Sequence, residues 1–239
     1  MHRAFNPSGK KLRGAKKVES VRIRYDSEVA YTDGEIGRLL GGLPDNTAVL
    51  FVGDHGESLF EHDYLGHGRR IYQASLHIPL IIRAPGLTGG RRSTPVRGID
   101  VGPTLLGLAG LANAPGMLGR DILGETPSEL APRIVETYGG AVPKVPGVRA
   151  LMANAEPMWQ TIIDGGWKLI VNGRRTELYH LAEDPGELEN RATEEGERVE
   201  MLRGLLGEWD RLTERGIGGG AELDDADLEA LQSLGYIDD

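Results

Sequence analysis

Apolar residues at Tyr25, Val29, Ile36, Leu39, Leu40 and Leu43 recur at the three-, four- and seven-residue intervals of a helix with one oily face. They predict an amphipathic helix over about 19–42, ended by Gly41-Gly42 and Pro44. The pattern then changes. Residues 47–53 are a short continuous apolar run and 79–84 a second, broken afterwards by Pro85-Gly86 and Gly89-Gly90, so each reads as a strand. A helix is predicted over about 100–111 with Pro103 in its first turn, and 133–137 is a short strand candidate. From 148 to 181 four β-type runs (148–152, 159–163, 167–171 and 176–181) are separated by Gly and Asp turns, the pattern of an antiparallel sheet. Val199, Leu202, Leu205, Leu206, Trp209 and Leu212 mark a last amphipathic helix, stopped by the glycines of 216–220. The first 17 residues are polar and loose, and 221–239 is an acidic tail with a short helix.

Strand, polar loop, strand and helix in this order imply a layered α/β core, over about 18–140. A smaller antiparallel subdomain closed by a helix follows, over 141–239. At 39% hydrophobic and 26% charged, 239 residues can bury a substantial core. Thirty-six acidic against 27 basic side chains give a net charge of −9, which argues against nucleic acid as a partner. There are no cysteines, hence neither disulfides nor thiolate metal ligands. No apolar run reaches the length of a membrane span, and the basic residues of the first 17 lead into no apolar signal core. The compartment is left open.

The chemistry concentrates in one stretch. The run Val49-Leu50-Phe51-Val52 ends in Gly53-Asp54-His55-Gly56-Glu57, so a carboxylate and an imidazole stand where the strand stops. Open α/β sheets place their sites at such strand ends. A hard carboxylate beside an imidazole suits a divalent cation, against the alternative of an Asp that merely caps a turn. His67 follows His55 by twelve residues, between Gly66 and Gly68, either as a functional group or as a loop residue bonded to its own turn. His77 precedes the second strand and reads as structural; His62 sits in the intervening loop.

These segments together resemble the sulfatase family of the alkaline phosphatase superfamily. The likeness is carried by residues 25–37, by Asp54-His55-Gly56-Glu57 and by Ile78-Pro79-Leu80-Ile81-Ile82-Arg83. It continues through Asp100-Val101-Gly102-Pro103-Thr104-Leu105-Leu106, then Trp167-Lys168-Leu169-Ile170, Glu177-Leu178-Tyr179-His180-Leu181 with Asp184-Pro185, and the ending 231–237. The resemblance implies the C-terminal part of an alkaline-phosphatase-like α/β/α sandwich, with a parallel sheet, plus the small antiparallel subdomain. It implies Asp54 and His55 as ligands of one divalent ion, calcium first. The imidazole, softer than the carboxamide many sulfatases carry there, keeps manganese or zinc open. It implies His67 at the place of a Lys or His that touches the sulfate or protonates the leaving oxygen. At His62-Asp63, the aspartate replaces a frequent family glycine, and His180 replaces an aspartate and is expected at the surface.

The implied activity is metal-assisted hydrolysis of a sulfate ester, with a small molecule or glycan as substrate. Phosphodiester or phosphonate hydrolysis and phosphoethanolamine transfer belong to the same superfamily, and a catalytically inactive, partner-binding module is the non-enzymatic alternative. The resemblance begins at the family's middle, so the nucleophile, its arginine and two acidic ligands are expected from a missing N-terminal half. The cut core is expected to self-associate or to need that half. Ser93-Thr94-Pro95-Val96-Arg97 matches the short string around the family's nucleophile. It lies downstream of the Asp-His pair instead of upstream, so Ser93 is expected to stay an unmodified serine.

Overall fold

A computed structural model describes residues 15–124, 131–137, 159–173 and 175–216. The expected strand at 148–152, residues 1–14 of the start expected to be loose over 1–17, and the tail helix lie outside the described residues; residues 15–17 of that start are helical instead. The rest divides into two compact units, one of residues 1–67 and 74–131, the other of 68–73 and 132–239.

The first unit opens with helix α1 (Ala15–Gly41), followed by strand β1 (Val49–Val52). A two-residue ribbon, β2 (Ser58–Leu59) and β3 (Leu65–Gly66), folds back over a 3-10 turn at Glu61–Asp63. One helical turn, α2 (Gln73–Leu76, all but its first residue in this unit), leads to β4 (Leu80–Arg83). Helix α3 (Val101–Leu108) follows a second 3-10 turn at Gly98–Asp100. The β1–β4 pair is antiparallel, Val49 opposite Arg83 and Val52 opposite Leu80, where the resemblance implied a parallel sheet. The burial of β4 explains the orientation: Leu80 and Ile82 are half-buried while Ile81 is 62% exposed, the one-sided alternation of an antiparallel ribbon. α1 forms as its periodicity predicts, yet Tyr25, Val29 and Leu39 on its apolar stripe are exposed.

The 3-10 turn before α3 is held by Asp100, which is fully buried. It accepts from the Arg97 backbone and guanidinium and from the Arg120 backbone, and Thr104 Oγ1 donates to its carbonyl. Burial alone would raise this carboxyl. The Arg97 and Arg120 donors outweigh it and hold the group below its ordinary 3.8.

The second unit is a four-stranded antiparallel sheet in the order β5 (Arg133–Thr137), β6 (Trp159–Asp164), β7 (Trp167–Asn172), β8 (Arg175–His180), packed on helix α4 (Gly196–Gly216). Pairing places Ile134, Ile162, Leu169 and Leu178 in one row across all four strands. Val199, Leu202 and Leu206, one stripe of α4, close over it. Each fully buried Ile or Leu here contributes about 1.5–3 kcal/mol.

The opposite face is buried too. Tyr72, from the strap 68–73, donates to Glu177 Oε2 at 2.8 Å, Tyr179 donates to the same oxygen at 3.0 Å, and Lys168 pairs with Glu187 at 2.5 Å. Burial first, then Glu177, pushes the Tyr72 hydroxyl up to about 12 and that of Tyr179 further. His180, expected at the surface, tilts its ring against Trp167 at 4.7 Å with 22% of the side chain exposed.

Candidate active site

The end of β1 is fixed by its neighbours. Gly53 N–H donates to the Pro79 carbonyl at 3.2 Å and Gly56 N–H to the Ser75 carbonyl at 2.8 Å. A Cβ on Gly56 would run into the Ala74 carbonyl, so the segment needs glycine for this close approach. Between these two anchors stand Asp54 and His55, at the strand end where the sequence placed them.

Their geometry suits a cation. Asp54 Oδ1 accepts the His55 backbone N–H at 2.9 Å, and its side chain is 89% exposed. His55 Nδ1 lies 2.9 Å from the Gly56 carbonyl. A carbonyl only accepts, so Nδ1 carries the proton and Nε2 the lone pair, the usual arrangement for a metal-binding histidine. That Nε2 faces Asp54 Oδ2 at 3.7 Å. Two acceptors face each other there, at a spacing that two donors on one divalent ion can have, each bonded at about 2.0–2.6 Å. The pair fits as part of a coordination shell. Among the described residues no three His, Asp or Glu side chains form a complete metal-binding group.

His67 is brought to the same place. Its ring stacks on that of His55, centroids 3.8 Å apart and planes 28° apart. Its Nδ1 lies 3.0 Å from Glu57 Oε2, and Tyr64 Oη donates to its carbonyl at 2.7 Å. The ribbon does this work: Ser58 pairs with Gly66 and Leu59 with Leu65, so Glu57 and His67 stand opposite each other one step beyond. Gly66 takes a φ of 117°, open to glycine alone. Glu57 belongs to the quoted motif, but its contact with His67 was missed in the sequence. Two-residue strands fall below any periodic signal; the near-symmetric flanks of the loop were the available hint.

The other candidates stay apart from this cluster. His62 and Asp63 sit at the ribbon tip with φ of 53° and 55°, and the family glycine that Asp63 replaces would have met that conformation without strain. His77 is exposed between α2 and β4. In the Ser93-to-Arg97 string, Arg97 is committed to Asp100 with three guanidinium contacts, which gives this string a structural use.

Comparison with known proteins bears on the family and the fold. The sulfatase family profile matches residues 2–111. Arylsulfatase K of Xenopus laevis is 28% identical over 200 residues, covering 78% of this chain and 36% of that protein. A solved enzyme in complex with its substrate D-glucosamine-2-N,6-O-disulfate is 25% identical, with a TM-score of 0.63, over 81% of this chain and 41% of that one. The phosphonate monoester hydrolase of Agrobacterium radiobacter is also 25% identical, with a TM-score of 0.66, over 84% and 43%. The chain thus spans about a third of the length of that curated relative. The matches run through the β1 strand end and onward into the antiparallel sheet, and on them this chain belongs to the sulfatase family of the alkaline phosphatase superfamily.

Proposed function

We propose that this chain serves a sulfatase-type hydrolase, in which water and a sulfate monoester give an alcohol and hydrogen sulfate. Asp54 and His55 are two ligands of one divalent ion, calcium first and manganese or zinc as alternatives. The ion, when bound, supplies positive charge beside the anionic oxygens of the ester. The nucleophile and the remaining ligands come from outside this chain. His67 gives its Nε2 proton to the ester oxygen as the S–O bond breaks, the bonding pair leaving with that oxygen. The observation that carries the reading is the face-to-face placement of Asp54 Oδ2 and His55 Nε2 at 3.7 Å, with His67 stacked on the imidazole. The apolar residues left exposed on α1 and at Ile81 support a further sulfatase segment, or a second copy, covering this side of the first unit. The similarity to an enzyme with a disulfated glucosamine substrate supports a sulfated glycan or small sulfate ester.

A phosphonate or phosphodiester hydrolase is the second reading, favoured by the structural match to the phosphonate monoester hydrolase. The test uses the complete enzyme, this chain together with its N-terminal half. It is assayed on an aryl sulfate, a sulfated glucosamine and an aryl phosphonate monoester, after chelation and with each metal restored. Sulfate turnover that chelation removes, that Asp54→Ala abolishes and that His67→Ala lowers by about 10²–10⁴ is the expected result. Preference for the phosphonate favours the second reading, and wild-type turnover by Asp54→Ala sinks the metal assignment.

A further inference from the structure

We propose that Glu57 is a positioning residue: its carboxylate accepts from His67 Nδ1 and so fixes the tautomer and orientation of the ring, leaving Nε2 as the nitrogen presented away from the ribbon. The inference deepens the functional reading above and rests on it for the role of His67, but the pairing itself stands on geometry alone.

Four observations support it. The ribbon register sets Glu57 opposite His67, so the contact is built by main-chain pairing and not by the chance reach of two long side chains. The distance, 3.0 Å between Nδ1 and Oε2, is that of an N–H···O hydrogen bond, and since a carboxylate only accepts, the imidazole donates. The two partners differ in exposure. The Glu57 side chain is 24% exposed and that of His67 is 49% exposed, which fits a fixed carboxylate holding a ring presented to solvent. Finally, Glu57 Oε1 is buried with no hydrogen-bond partner among the described residues. Seating a carboxylate with one oxygen unmet is costly, and a fold that needed only a ribbon pair at this position could use a neutral side chain. The ring is also held from its face by His55 at 3.8 Å, and its backbone by Tyr64. A flip of the ring would put Cδ2 in place of Nδ1 and break the Glu57 bond.

The chemical consequence is specific. A free imidazole exchanges its proton between both nitrogens. With Nδ1–H committed to a carboxylate, Nε2 is the nitrogen left free to face the leaving oxygen. Glu57 thereby acts through His67 without touching the reacting atoms.

The test has two arms. In the first, the imidazole nitrogens of the full chain are read by long-range proton–nitrogen NMR at about pH 8.5, where an ordinary imidazole is neutral, with His67→Gln assigning the signals. Wild type should show His67 in the Nδ1–H form. Glu57→Ala should shift it toward the Nε2–H form or a mixture, and Glu57→Gln, whose side-chain carbonyl still accepts, should keep the Nδ1–H form. Unchanged amide shifts at Ser58 and Gly66 show that the ribbon is intact. An Nε2–H form in wild type, or no change in Glu57→Ala, overturns the inference. In the second arm, the complete enzyme carrying Glu57→Ala should lose about 10–10²-fold in kcat, the scale on which a functional histidine suffers when its orienting partner goes. The loss should be largest for poor leaving groups, with KM little changed. An equal loss for all leaving groups overturns the positioning role. A complete enzyme inactive on every sulfate ester strikes the functional reading and leaves the first arm to decide the Glu57–His67 pairing.

Discussion

Lys168 gives the second unit a dependence on pH that runs opposite to common expectation. Its side chain is fully buried, with Nζ 2.5 Å from Glu187 Oε1, and Glu187 in turn accepts the Gln73 N–H at 2.6 Å. Removal from water pushes the ammonium down from its ordinary 10.5 to about 8, with Glu187 opposing. Between pH 8 and 10.5 the unfolded chain therefore holds a proton that the folded chain has released. Stability rises with pH wherever the unfolded state binds more protons. From pH 8 to 9.5 the gain is on the order of 1–2 kcal/mol. Tyr72 and Tyr179 act in the other direction: pushed above their ordinary 10, they keep protons in the fold that the unfolded chain loses, so stability falls above about pH 10.

The assay is urea unfolding at pH 8, 8.5, 9 and 9.5, followed by tryptophan fluorescence. All three tryptophans, Trp159, Trp167 and Trp209, lie in this unit, so the signal reports it selectively. The reference is the double variant Lys168→Met/Glu187→Gln, which removes both charges, keeps an acceptor for Gln73 and leaves the tyrosines in place. The difference between wild type and this variant should grow by on the order of 1–2 kcal/mol in favour of wild type from pH 8 to 9.5. At pH 7, where Lys168 is still protonated in the fold, Lys168→Met alone should cost about 3–5 kcal/mol, because Glu187 then keeps a buried charge without its cation. Equal slopes in wild type and double variant would refute the reasoning.

Two further outcomes concern the first unit. Gly56→Ala should destabilise the β1 end by about 1–3 kcal/mol, since the added methyl meets backbone at Ala74 that cannot swing aside; faster hydrogen exchange at Leu50 and Phe51 checks it, and unchanged protection would count against the close approach. Asp63→Gly should stabilise the ribbon by up to about 1 kcal/mol, the relief of a left-handed non-glycine residue less the entropy glycine adds to the unfolded chain; slower exchange at the Leu59 amide is the expected sign, and faster exchange would be the contrary one.

How much of this fold could be read from the chain follows from the length scale of each signal. Strands β6, β7 and β8 were found to within a residue, because six-residue alternating runs are separated by Gly165-Gly166 and Gly173, all with positive φ. α4 was legible from one stripe, Val199, Leu202 and Leu206, that the structure buries. α1 shows the limit of the same signal. Its periodicity predicts a helix, but a pattern states only that a face favours burial and says nothing of what covers it; here Tyr25, Val29 and Leu39 stay exposed. Strand direction was equally illegible, since Val49-Leu50-Phe51-Val52 and Leu80-Ile81-Ile82-Arg83 are compatible with either pairing.

For the site, the division falls between what sits on one strand and what two segments make together. The place of Asp54 and His55 at the end of β1 was readable because a strand and two glycines, adjacent in sequence, set it. The Glu57–His67 pair depends on a register set by a ribbon whose tip uses Phe60, His62 and Asp63 in left-handed conformations, with no Asn-Gly or Gly-Gly to announce the turn. Lys168 fails for a related reason. Alternation along β7 puts it on the face opposite Leu169, and alternation alone assigns that face to water. Tyr72 and Glu187, far away in sequence, bury it instead. In both places the illegible residue is a polar group whose partner comes from another segment, ten residues on for Glu57 and nineteen for Lys168. Burial without those partners would be prohibitive, so the partner, and not the local sequence, decides where such a side chain can lie.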